Sequence, residues 1–109
     1  MAYTLENCNV AVIGLGYVGM PLALMLAKNM PTVGFDIQEK RVNDLKDGWD
    51  SNREIRQADL RTTQCKFTAD VSDLKNSNVY IVTVPTPIDA DNKPDLGAVE
   101  AASRTIGAF

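Results

Sequence analysis

Histidine is absent from this chain, and cysteine occurs only twice, at Cys8 and Cys65. A serine or thiol nucleophile therefore lacks its usual activating base, and a zinc centre lacks its commonest ligand. No Ser-His-Asp triad, activated cysteine or metal site is expected, and no residue is assigned a catalytic role. Long apolar runs are missing too. The longest, around Met20 to Ala27, is interrupted and shorter than the ~20 residues that span a bilayer, so no membrane partner is expected. Met1 to Asn7 includes Glu6 and no basic n-region, so it does not read as a secretory leader, and the default compartment is the cytoplasm. Basic residues number 11 against 14 acidic ones. With a net charge of −3 and no basic patch, no nucleic-acid partner is expected. Repeats and low-complexity tracts are also absent.

What is present is one organised stretch, Asn9 to Asp36. Val10-Ala11-Val12-Ile13 is unbroken apolar, the pattern of a strand buried on both faces of a parallel sheet. Gly14-Leu15-Gly16-Tyr17-Val18-Gly19 follows, then an apolar helical run to Lys28, then Thr32-Val33-Gly34-Phe35 and Asp36. In such a βαβ unit Gly14 permits the sharp exit from the strand. Gly16 lets a pyrophosphate approach the backbone, and Gly19 lets the helix pack close to the strand. Backbone N–H groups near Gly16, Tyr17 and Val18 face outward at the helix start, where an anion meets them. Pro21 falls in the first turn, where its missing N–H costs least. Asp36, 20 residues after Gly16, is placed to accept hydrogen bonds from the ribose hydroxyls of an adenosine. Its charge opposes a 2′-phosphate and favours NAD over NADP. Ile37 and Gln38 do nothing to reverse that, whereas Arg41 offers a cation that can.

The remaining chain repeats the alternation. Gln38 to Lys46 predicts an amphipathic helix with Val42 and Leu45 inward, closed by Gly48. Arg41 lies one turn in, either beside the adenosine end of a dinucleotide or as a solvated charge. Trp49 reads as cover for a sheet edge or helix end. Glu54 to Arg61 predicts a short helix, with Ile55, Ala58 and Leu60 as its apolar positions and a solvated charged face. Cys65 to Thr68 predicts a third strand, Asp70 to Lys75 a helical turn and Asn78 to Val84 a fourth strand. Pro85-Thr86-Pro87 ends that strand, since proline cannot continue a central ladder. In a doubly wound sheet the fourth strand lies beside the first, at the switch point where ligands bind. Pro85 and Thr86 then face the glycine turn, and the Thr86 hydroxyl can reach a ribose or phosphate. Pro94-Asp95 starts a last helix with Leu96, Val99, Ala102 and Ile106 on one face and Asp95 as cap. Cys8 and Cys65 begin strands one and three, two spacings of ~4.8 Å apart, so both are expected as free thiols.

The predicted fold is α/β, a Rossmann-like doubly wound parallel sheet of strand order 3-2-1-4. It is truncated, since a full dinucleotide domain continues with further strands. Residues 1–109 are accordingly expected to be the amino-terminal part of an NAD-binding domain.

Several motifs together carry a family resemblance. Val12-Ile13-Gly14-Leu15-Gly16-Tyr17-Val18-Gly19-Met20-Pro21-Leu22-Ala23, Gly34-Phe35-Asp36-Ile37, Val84-Pro85-Thr86-Pro87 and Pro94-Asp95-Leu96 resemble the UDP-glucose/GDP-mannose dehydrogenase family. The branch that oxidises UDP-N-acetylhexosamines for bacterial surface polysaccharides is the most similar. The resemblance implies oxidation of a sugar C6 alcohol to the uronic acid with two NAD, by way of a cysteine thiohemiacetal and a thioester. It implies that backbone amides of Tyr17 and Val18 meet the pyrophosphate. It also implies that Asp36 holds the ribose, with Arg41 beside it and Thr86 touching NAD. The family's catalytic cysteine, lysine, asparagine and acids lie beyond the Val84–Pro87 motif and are not in this chain. Its central helix and UDP-sugar domain are likewise outside it. The whole protein is then a cytoplasmic homodimer acting on a UDP-sugar, and the 109 residues alone have no turnover. Two other readings stay open: a module that senses NAD or another adenine nucleotide, and another NAD(P) dehydrogenase such as a 3-hydroxyacid type.

Overall fold

The computed structural model describes residues 8–51, 55–84, 91 and 96–107. Four parallel strands form one sheet in the order β3-β2-β1-β4, as predicted. They are β1 (Val10–Ile13), β2 (Thr32–Phe35), β3 (Lys66–Thr68) and β4 (Val79–Val82). Val10 pairs with Thr32 on one side and Val79 on the other, and Ile13 with Phe35 and Val82. All four β1 residues are buried, which is why the run shows no polar alternation.

The pleat divides the core in two. Val10 and Val12 point into one layer with Leu15, Met20, Ala23, Val42, Leu45, Leu60 and Phe67. Helices α1 (Gly19–Ala27), α2 (Glu39–Lys46) and α3 (Gln57–Thr62) supply its outer wall. Ala11 and Ile13 point into the opposite layer with Phe35, Leu74 and Ala102. That face is covered by a 3₁₀ turn at Val71–Leu74 and by α4 (Gly97–Gly107). Burying both sheet faces between helices is the doubly wound arrangement.

Local chemistry accounts for the element ends. The α2 helix stops where Gly48 takes a φ of +84°, a left-handed value that glycine adopts without penalty. The Gly48 N–H donates to the Leu45 carbonyl at 3.0 Å and the Trp49 N–H to the Asp44 carbonyl at 2.8 Å. Those two bonds form a Schellman cap. Asp70 caps the 3₁₀ turn by accepting from the Ser72 N–H at 2.9 Å and the Ser72 hydroxyl at 2.8 Å. These bonds hold its carboxyl below the usual carboxylate range.

Three expected faces are corrected. Ala58 is exposed, because α3 buries little beyond Leu60. Leu96 is exposed because it precedes α4, whose inward face is Ala102 with Val99 and Ile106 half-buried. Trp49 is also largely exposed, and only its backbone closes the helix end. Cys8 and Cys65 are both free, as expected. Cys65 is buried, and desolvation pushes its thiol up to about 12, only partly offset by a backbone contact from Gly34.

Candidate dinucleotide site

The site forms where β1 ends. Gly14 has a φ of +101°, and a Cβ there would sit 3.0 Å from the Thr83 backbone. Any other residue would be strained and would press on the strand beside it. A Cβ at Gly19 would overlap the Gly14 carbonyl oxygen and the Thr83 hydroxyl, so helix α1 docks on the turn only because position 19 has no side chain. A Cβ on Gly16 would meet nothing within 4 Å. The three glycines thus divide into two that the protein's own packing requires and one that borders open space, which is where a ligand approaches.

That open space is lined by hydrogen-bond donors. Helix α1 begins after Val18 with no side-chain cap and no acid in its first turn. The N–H groups of Gly16, Tyr17 and Val18 have no partner among the described residues. Tyr17 and Val18 are 64% and 68% exposed, so the start of the helix lies at the surface. Free N–H groups at the positive end of a helix, with no competing carboxylate in the first turn, form a cradle for a phosphate group.

Asp36 follows β2 and faces the same turn. Its Oδ2 accepts from the Leu15 N–H at 3.0 Å and its Oδ1 from the Gln38 N–H at 2.9 Å. Each carboxylate oxygen has a second lone pair, so two acceptor positions remain for ribose hydroxyls. Asp36 therefore shapes the turn as well as offering itself to a ligand.

Arg41 is not a solvated charge. It is 9% exposed and grips three groups. Its Nε donates to the Leu15 carbonyl at 2.9 Å. Its Nη1 donates to Asp50 at 2.6 Å and to the Ser51 hydroxyl at 3.1 Å. Its Nη2 is buried without a partner among the described residues. A buried guanidinium donor left unpaired is costly, so an acceptor from a ligand at this edge of the turn would be stabilised by it. The unpaired amides, the lone pairs of Asp36 and this orphaned donor together fit a dinucleotide.

Pro85 and Thr86 lie outside the described residues. The strand that leads to them supplies a residue sequence reasoning missed. Thr83 donates its hydroxyl to the Gly14 carbonyl at 2.7 Å and its N–H to the Ile13 carbonyl at 2.8 Å, tying the turn to the end of β4. Asp50 and Ser51 were also missed. They lie in a polar loop whose composition shows no periodicity that would aim them at Arg41. No group of three or more His, Cys, Asp or Glu side chains among the described residues could hold a metal. No described helix is long and apolar enough to cross a membrane. A cavity of about 590 Å³ lies on another face, between α1 and α3.

A parallel 3-2-1-4 sheet with a glycine turn, an uncapped helix start and an acid after the second strand defines a dinucleotide-binding α/β domain. Within that class, the chain belongs to the UDP-glucose/GDP-mannose dehydrogenase family: residues 8–109 match its NAD binding domain. It is 46% identical over 104 residues to UDP-N-acetyl-D-glucosamine 6-dehydrogenase of Pseudomonas aeruginosa, covering 94% of this chain and 25% of the relative. It is 44% identical over 101 residues to Protein CapL of Staphylococcus aureus, covering 93% of this chain and 24% of that protein. The solved structure of a UDP-D-ManNAc dehydrogenase from Pyrococcus horikoshii superposes with a TM-score of 0.79 at 37% identity, over 92% of this chain and 25% of that one. The chain thus spans about a quarter of the length of the relatives it matches.

Proposed function

We propose that residues 1–109 are the amino-terminal part of the NAD-binding domain of a nucleotide-sugar dehydrogenase. The whole protein would oxidise the C6 alcohol of a UDP-N-acetylhexosamine to the uronic acid, for surface polysaccharide synthesis. The observation that carries the reading is the set of unpaired N–H groups at Gly16, Tyr17 and Val18 on the turn whose Leu15 N–H is held by the carboxylate of Asp36. The relatives' names support the substrate class.

In this reading Gly14 and Gly19 hold the turn against β4 and α1. Gly16 leaves room for the pyrophosphate, and the Tyr17 and Val18 amides donate to it. Asp36 accepts from the adenosine ribose, Arg41 lies beside it, and Pro85 and Thr86 are proposed as further cofactor-binding residues. Bound NAD supplies the hydride acceptor. The free guanidinium donor of Arg41 does not make this an NADP site, because the Asp36 carboxylate opposes a 2′-phosphate and the Arg41 charge is already matched by Asp50. The whole protein is proposed to be cytoplasmic and homodimeric, with no nucleic-acid partner and with its catalytic cysteine and UDP-sugar site outside these residues.

The test is direct. The 109-residue chain mixed with NAD and UDP-N-acetylglucosamine should form no NADH, and a longer protein carrying the substrate domain should form two NADH per sugar. Turnover by the 109 residues alone would sink the assignment of the chemistry to other parts of the protein. Binding of NADP in preference to NAD would sink the role given to Asp36.

A further inference from the structure

Leu15 is held at its side chain and at the peptide groups on both sides of it. The Leu15 side chain is fully buried and lies over Gly34, where an added Cβ would come within 2.9 Å of its Cδ2. The Leu15 N–H is taken by Asp36 and its carbonyl by Arg41 Nε. Arg41 is in turn fixed by Asp50, whose side chain is only 1% exposed. Asp50 also accepts from the Ile55 N–H at 2.9 Å, so its position is set by the loop leading to α3.

A trans peptide is planar, with its carbonyl and its N–H pointing in opposite directions. The described residues contain no cis peptide bond. The bond that draws the Leu15 oxygen toward the buried Arg41 guanidinium therefore turns the Gly16 N–H away from it. That N–H has no partner among the described residues and borders the space that no protein atom fills. A charged donor is the stronger kind of partner for a carbonyl, and a buried one resists rotation of the peptide.

We infer that Arg41, locked by Asp50, is a positioning residue that aims the Gly16 N–H at the pyrophosphate of a bound dinucleotide. Asp50, remote from the glycine motif in sequence, belongs to the phosphate cradle through this relay. The inference rests on the dinucleotide reading and adds a function to two residues outside the glycine turn.

The variant that tests it is Arg41→Met combined with Asp50→Asn. It removes both buried charges together, and the Asn side-chain oxygen can still accept from Ile55. Arg41→Lys is the second variant; it keeps the cation but loses the fork that bridges Leu15 and Asp50. Folding is checked by far- and near-ultraviolet circular dichroism. Two readouts follow. The first needs no ligand: the Gly16 amide resonance and its solvent-exchange rate report how that peptide is oriented. Both should change in either variant, while the Val12 amide in β1 should stay where it was. The second compares ADP with adenosine by titration. Loss of one aimed donor should weaken ADP about tenfold more than adenosine. An unchanged Gly16 amide in a folded variant overturns the inference. So does equal weakening of ADP and adenosine, which would make Arg41 a direct adenosine ligand only. If the unsubstituted chain binds neither ADP nor adenosine, the dinucleotide reading itself fails, and that result is separate from the amide measurement.

Discussion

Replacing Gly19 by alanine should be among the most damaging single-methyl changes in this chain. The new Cβ would overlap the Gly14 carbonyl oxygen and the Thr83 hydroxyl, and it would sit 3.0 Å from the Gly14 carbonyl carbon. Neither obstacle is the far end of a flexible side chain. The Gly14 carbonyl belongs to the turn, and the Thr83 hydroxyl is already bonded to it at 2.7 Å. To make room, α1 must move off the sheet or Thr83 must give up its bond. Overpacking costs about 1–3 kcal/mol and the lost hydrogen bond about 0.5–1.5 kcal/mol, against roughly 1 kcal/mol at most gained from alanine's helix propensity. The net expectation is a loss centred on about 2 kcal/mol and reaching about 3.5 kcal/mol. For a domain of this size a loss of about 2 kcal/mol lowers the melting temperature by roughly 8–16 °C. Urea denaturation followed by circular dichroism measures it. A Gly19→Ala chain within about 0.5 kcal/mol of the unsubstituted one would refute the claim that the turn, β4 and α1 meet at this point.

Other outcomes follow from the same packing. Leu74→Ala empties a fully buried position in the smaller core layer and should cost about 2–5 kcal/mol in the same assay, with little change in any ligand affinity. Asp50→Ala leaves the Arg41 charge buried without its carboxylate partner and should destabilise by about 3–5 kcal/mol, which thermal melts would show. Cys65 should resist alkylation in the folded chain at pH 8 and react once urea is added, as mass spectrometry can record. Its thiol titrates higher when folded than when unfolded, so the folded state retains a proton the unfolded state loses. The stabilisation is complete below the unfolded value near 9 and is lost as pH rises toward about 12. Denaturation midpoints should therefore fall across that window, by about 1.4 kcal/mol per pH unit in free energy, and Cys65→Ser should flatten the decline.

Much of this was readable in the chain itself. The unbroken apolar run of β1 implied burial on both faces, and the switch from strand to helix periodicity located α1 and α2. Gly48 marked the end of α2 because only a left-handed residue makes that cap cheaply. Strand order followed from the doubly wound pattern, in which the fourth strand lies beside the first at the switch point. What was not legible depends on contacts between residues far apart. Arg41 sits on an amphipathic helix among charged neighbours, and spacing alone could not tell a buried guanidinium from a solvated one. Its burial is decided by Asp50 and the Leu15 carbonyl, which no periodic pattern links to it. Thr83 reads as an ordinary β-branched strand residue, yet its hydroxyl locks the turn. Ala58 and Leu96 were placed inward by helical spacing, but they lie at a short helix and just before another, where the periodic argument has too few turns to hold.

The most direct measurement is a calorimetric titration of the chain with NAD, run beside Asp36→Ala. One site is expected, with affinity reduced in the variant because two ribose acceptors and the Leu15 tether are lost together. No heat from a chain shown to be folded, or equal affinity in the two proteins, would contradict the claim that the glycine turn and Asp36 form one dinucleotide site.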